Sequence, residues 1–133
     1  MRIPVLAAVL AVVIAAADWA DEPAVIEPQS LAERVAFADA KLLVLDVRSA
    51  AEFNEGHIPG AINIPFDAIG DRIAELGPPG QRDVVVYCRS GRRSAIALTT
   101  LKEAGFSRLF HLEGDYLRWS EEARTIVRPS AQP

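Results

Sequence analysis

Val84-Val85-Val86-Tyr87-Cys88-Arg89-Ser90-Gly91-Arg92-Arg93-Ser94 is the stretch on which the reading of this chain turns. Its first four residues are β-branched or aromatic and all apolar, which suits a strand buried on both faces, as in a parallel sheet. A short polar loop with one glycine ends the run. Ala95 to Ala104 then reads as a helix, with Gly105 placed as its left-handed C-cap. In parallel sheets ligands bind beyond the carboxyl ends of the strands, and Cys88 stands at such an end.

The flanking sequence extends the same alternation. Leu42-Leu43-Val44-Leu45 is a second unbroken apolar run, and Leu109-Phe110-His111-Leu112 a third strand candidate. Ser30 with Glu33, and Ser49 with Glu52, have capping-box spacing; the first opens a helix through Val35 and Ala38, the second a short helix that stops at Gly56. Ala61 to Ile64 reads as a short strand ended by Pro65. Phe66, Ile69, Ile73 and Leu76 mark one face of a helix closed by Gly77-Pro78-Pro79-Gly80, and Asp115 to Glu122 a last short helix. Strands alternating with helices, without repeats, predict an α/β domain with a mainly parallel sheet flanked by helices on both faces.

The chain has 133 residues with a formal charge of −4, enough for one domain and too acidic for a protein that neutralises nucleic-acid phosphates. One cysteine and two histidines exclude an internal disulfide and a closed zinc site, so no cofactor and no metal are expected. Residues 1–17 follow the pattern of a signal peptide: Arg2, then an apolar run from Ile3 to Ala17 closed by small residues. That run is short for a spanning helix, which needs roughly 17–25 apolar residues, so no membrane span is expected after cleavage. The expected mature protein is acidic and exported, periplasmic or secreted. Residues 18–29, proline-containing and acidic, read as a flexible leader, 30–124 as the folded domain, and 125–133 as a C-terminal tail.

Chemistry concentrates in the loop after the central strand. Arg89, Arg92 and Arg93 surround the lone cysteine in an otherwise acidic chain. A lone cysteine at a strand end is commonly a small buried hydrophobe, and loop arginines commonly only solvate the loop. Here both coincide with a helix start, whose amides and dipole favour an anion, and with Gly91, free to adopt positive φ and close a concave turn. This combination suits a thiolate that attacks or carries an anionic group.

The motifs are similar to those of single-domain rhodaneses, thiosulfate-type sulfurtransferases. Leu43 to Arg48 followed by Glu52-Phe53 resembles that family's first strand and turn, Gly56 to Pro65 its Gly-His-Ile-Pro-Gly-Ala signature, and Val86 to Ser94 its active-site loop. Gly114 to Trp119 resembles the closing motif, except that Asp115 stands where a second glycine is usual. The resemblance spans about residues 30 to 122 and implies a rhodanese-like fold. It also implies that Cys88 accepts a sulfane sulfur from thiosulfate, a persulfide or a polysulfide, and passes it to cyanide or a thiol. By the same resemblance the amides of Arg89, Ser90, Gly91, Arg92, Arg93 and Ser94 hold the persulfide, Arg89 or Arg92 attracts a small anionic donor, and Arg93 braces the loop. Asp46, Arg48, Glu52 and His57 read as turn, cap and ion-pair residues, His111 and Trp119 as packing, and the carboxylate of Asp115 as a charge unfavourable to anion binding. The alternatives are a non-catalytic rhodanese-like binding module, a persulfide carrier, and a cysteine phosphatase. Cysteine phosphatases place one residue more between cysteine and anchoring arginine than the four between Cys88 and Arg93.

Overall fold

Strands β1 (Ala24–Ile26), β2 (Leu42–Asp46), β3 (Ile62–Asn63), β4 (Asp83–Tyr87) and β5 (Leu109–Leu112) lie in one sheet, in the order β1-β5-β4-β2-β3. These assignments come from a computed structural model that describes residues 2–4 and 22–129. Every pairing is parallel; Leu42 to Asp46 run opposite Asp83 to Tyr87, and Val84 to Val86 opposite Leu109 to His111. Parallel neighbours need crossover connections. These carry helices α1 (Pro28–Ala36), α2 (Ala50–Glu55) and α3 (Arg92–Glu103), while α4 (Asp115–Glu121) follows β5.

Successive strand residues point to opposite faces, and both faces are covered, which is why the central strands are apolar throughout. Leu43, Leu45, Val84 and Val86 pack against Ala97, Leu98 and Leu101 of α3 and against Ile69 and Leu76. Val44, Val85, Tyr87 and Leu112 pack on the other face with Leu31 of α1 and Trp119 of α4. The α/β architecture expected from the sequence is therefore the one observed.

Several boundaries differ from the sequence reading. The supposed leader is ordered from Ala24: residues 24–26 pair with Phe110 to Leu112, and α1 begins at Pro28 rather than after Ser30. Proline is favoured in a first turn because its fixed φ suits the helix and its missing N–H would have no helical acceptor. Ser30 thus lies inside the helix, and Glu33 accepts a hydrogen bond from Gln29 at 3.1 Å instead of closing a capping box. The second capping box, Ser49 with Glu52, is present. The expected helix over 66–76 is a series of turns ending in a 3₁₀ helix, Ile73–Leu76; Gly70 lies at its middle, where it weakens a continuous helix. The tail, too, is attached in its first part. Trp119 Nε1–H donates to the carbonyl of Thr125 at 2.9 Å, and Val127 exchanges two backbone hydrogen bonds with His57, at 2.8 and 2.9 Å.

The signal-peptide reading of 1–17 falls, apart from residues 2–4, outside the described residues, as do 18–21 and 130–133. Among the described residues no helix is long and apolar enough to cross a membrane.

Two polar connections hold the turns at the carboxyl edge of the sheet. Asp46 and Arg48, both buried, form a bidentate pair at 2.7–3.1 Å, and Arg48 also donates to the carbonyl of Gly56 at 2.7 Å. Glu52 of α2 accepts two hydrogen bonds from Arg93 of α3, at 2.7 and 3.1 Å. The Arg93 hydrogen bonds, outweighing partial burial, lower the Glu52 pKa to about 2 from its ordinary 4.5. A depressed carboxylate stabilises the fold fully above its unfolded value and loses that contribution as pH falls towards its folded one. Glu52→Gln is expected to cost about 1 kcal/mol at pH 7, given the pair's partial exposure. The gap from wild type, measured by urea denaturation across pH, should narrow below pH 4.5 and be mostly gone by pH 2.

Candidate active site

Cys88 is the residue immediately after β4 and is 1% exposed. Its Sγ accepts a hydrogen bond from the Gly91 amide at 3.0 Å, so the loop curls back over the sulfur. That turn puts Gly91 at φ +120°, and a Cβ there would lie 3.2 Å from Asp115 Oδ2. Glycine is thus required both by backbone conformation and by close approach.

The helix behind the loop starts three residues earlier than the apolar pattern suggested, at Arg92. The first intrahelical bond joins the Ala95 amide to the Gly91 carbonyl at 3.0 Å. The amides of Arg92, Arg93 and Ser94 precede it and have no acceptor within the helix. An anion on or beside Cys88 Sγ meets the positive end of a twelve-residue helix as well as the Gly91 amide.

The loop side chains divide by role. Arg93 is held by Glu52, whereas Arg89 and Arg92 are exposed and form no ion pair among the described residues. Ser90 is also exposed. Ser94 is fully buried, and its hydroxyl donates to Asp115 Oδ1 at 2.9 Å. Of the residues singled out from sequence, the structure brings Cys88, Gly91 and the α3 amides together, leaves Arg89 and Arg92 at the rim, and places Arg93 and Ser94 in support.

Asp115 is the residue whose part the sequence did not disclose. It was visible only as a departure from a motif. It is 2% exposed and adopts φ +52°, a left-handed conformation that aspartate tolerates better than most residues. Its Oδ1 accepts the Cys88 amide at 2.9 Å as well as the Ser94 hydroxyl, and His111 Nε2 donates to Oδ2 at 2.9 Å. Burial alone would raise its pKa, but the hydrogen bonds from His111, the Cys88 amide and Ser94, with the charge of His111, hold it below the ordinary value. The carboxylate is therefore bound to donors beneath the loop. His111 is half-buried in β5 and is its partner, more than simple packing.

The remaining polar residues are structural. His57 stacks on Phe53 with ring centroids 3.6 Å apart, and its Nδ1 lies 2.9 Å from the Phe53 carbonyl. Arg48 lies 4.0 Å from the Tyr116 ring centroid, joining the buried Asp46 pair to the start of α4.

Known proteins agree with this geometry. A sulfurtransferase of Allochromatium vinosum is 40% identical over 104 residues, covering 78% of this chain and 94% of that protein. The chloroplastic thiosulfate sulfurtransferase 16 of Arabidopsis thaliana is 38% identical across 58% of this chain and 72% of its own. The crystal structure of a full-length protein from Lactobacillus plantarum superposes with a TM-score of 0.69 at 30% identity, covering 78% of this chain and 87% of that one. The family model for the rhodanese-like domain matches residues 27–122, and with the cysteine loop at the carboxyl edge of a parallel sheet, the chain belongs to the rhodanese-like domain family.

Proposed function

We propose that this protein is a sulfurtransferase in which Cys88 carries the sulfur. A sulfur-transfer role is supported by the family and by relatives named as sulfurtransferases. The observation that carries the finer reading is the Gly91 amide directed at Cys88 Sγ at the start of α3, with two exposed arginines, Arg89 and Arg92, that form no ion pair among the described residues.

In the proposed cycle the Cys88 thiolate attacks the outer sulfur of thiosulfate. The sulfur–sulfur bond breaks, sulfite leaves with its electron pair, and a persulfide anion remains on Cys88. Cyanide or a thiolate then attacks the terminal sulfur and releases thiocyanate or a new persulfide, returning Cys88 as thiolate. No oxidant or reductant is consumed. Arg89 and Arg92 would draw in the anionic donor, and the Gly91 amide and helix dipole would stabilise the negative terminal sulfur.

The rival readings differ in what they require. A binding module has no need of a cysteine with a directed amide. A phosphatase must cradle three equatorial oxygens rather than one sulfur, and the loop from Cys88 to Arg93 is one residue shorter than that chemistry uses. A persulfide carrier shares the Cys88 chemistry and differs only in having a protein or polysulfide donor. We also place the protein outside the cytoplasm, from the apolar run of Ile3 to Ala17.

Incubation with thiosulfate should add one sulfur atom to the intact mass at Cys88, and cyanide should remove it as thiocyanate. Cys88→Ser should abolish both while leaving the circular dichroism spectrum unchanged. An unmodified wild-type mass after thiosulfate and polysulfide alike would defeat the assignment. Arg89→Ala and Arg92→Ala should each raise KM for thiosulfate about fivefold with little change in kcat, the loss of about 1 kcal/mol of attraction at a solvated site. Protein recovered from its native host should begin within a few residues of Asp18; a soluble cytosolic chain starting at Met1 would exclude export.

A further inference from the structure

β4 loses its strand partners just where the chemistry begins. The ladder with β5 ends at Val86 opposite His111, and that with β2 at Tyr87 opposite Asp46. Cys88 is the next residue, and among the described residues no strand supplies an acceptor for its amide or a donor for its carbonyl. The turn that opens α4 does both. Asp115 Oδ1 takes the Cys88 amide at 2.9 Å, the Tyr116 amide donates to the Cys88 carbonyl at 3.0 Å, and the Leu117 amide to the Arg89 carbonyl at 3.1 Å. Tyr116 and Leu117 act through backbone that any residue provides. Asp115 acts through its side chain, at a position where a glycine would provide nothing.

The geometry points to Asp115 as a positioning residue for the Cys88 nucleophile, its carboxylate standing in for the missing strand and joining β4, the first turn of α3 through Ser94, and β5 through His111. This inference rests on Cys88 being the reactive group and adds a role for a residue that never touches the donor. The same carboxylate stands beside the cradle: a Cβ built on Gly91, whose amide points at Sγ, would lie 3.2 Å from Oδ2. If Asp115 sets the height and direction of the sulfur while Arg89 and Arg92 attract the donor, its loss should slow the chemical step and leave donor capture intact.

Two variants of the full chain separate position from mere folding. Asp115→Gly is compatible with φ +52° and removes the acceptor. Asp115→Asn keeps an oxygen for Cys88 and Ser94 and tolerates the same φ. Three readouts apply: amide hydrogen exchange at Cys88 by nuclear magnetic resonance, the alkylation rate of Cys88 with iodoacetamide, and kcat and KM for thiosulfate. We expect Asp115→Gly to speed Cys88 exchange at least tenfold relative to the Val85 amide, and to lower both kcat and alkylation about tenfold with KM within twofold. Asp115→Asn should recover each to within about threefold of wild type. Wild-type exchange, alkylation and kcat in the glycine variant would overturn the proposal, as would an asparagine variant no better than glycine. If wild type transfers no sulfur while exchange and alkylation follow the expected pattern, the sulfurtransferase reading falls and the positioning role stands.

Discussion

The parallel pairing of the strands is the constraint from which the site follows. Because β2, β4 and β5 all run in one direction, the turns after them converge on one edge of the sheet, although Asp46, Cys88 and Asp115 are far apart in sequence. That edge lacks further strand partners, so its backbone polar groups must find acceptors and donors elsewhere. The Asp46–Arg48 pair meets part of this need by tying the end of β2 to Gly56, and Asn63 Nδ2 donates to the carbonyls of both Asp46 and Arg48, at 3.0 and 2.9 Å. Asp115 meets it at Cys88.

Two residues of the site, Gly91 in the cysteine loop and Asp115 at the start of α4, take positive φ. Gly91 is at φ +120° and Asp115 at φ +52°, and a non-glycine residue in the left-handed region costs on the order of 1 kcal/mol. Hydrogen bonds to a charged acceptor contribute roughly 1.5–3 kcal/mol each, and Asp115 accepts from Cys88, Ser94 and His111. Even with burial of the carboxylate set against them, three such bonds outweigh the backbone strain. The buried carboxylate is surrounded by donors on both oxygens.

The fold was legible because its central strands are apolar on both faces: Leu42 to Leu45 and Val84 to Tyr87 have no other simple reading. β1 escaped notice because three residues between prolines carry no periodic signal, and only pairing with β5 gives Ala24 to Ile26 their strand geometry. Pro28 overrode the capping pattern of Ser30 through a first-turn preference that competes locally with it. Within the site, Cys88, Gly91 and the arginines could be found from composition and spacing, since their role depends on sequence neighbours. That Arg93 braces the loop while Arg89 and Arg92 stand free for a donor was legible only through the family resemblance, its partner Glu52 lying 41 positions away; the His111–Asp115 pair and the bond from Cys88 to Asp115 were not legible at all. Such contacts are made by topology, between segments that the chain order keeps apart.

The left-handed backbone at position 115 also narrows the routes by which descendants of this chain can vary. Glycine, asparagine and aspartate are the residues that occupy such a conformation routinely. The genetic code joins aspartate to each of the other two by a single base change. A lineage can therefore gain or lose the carboxylate beneath Cys88 in one mutational step, and natural selection can change what holds the cysteine amide without rebuilding the loop around it.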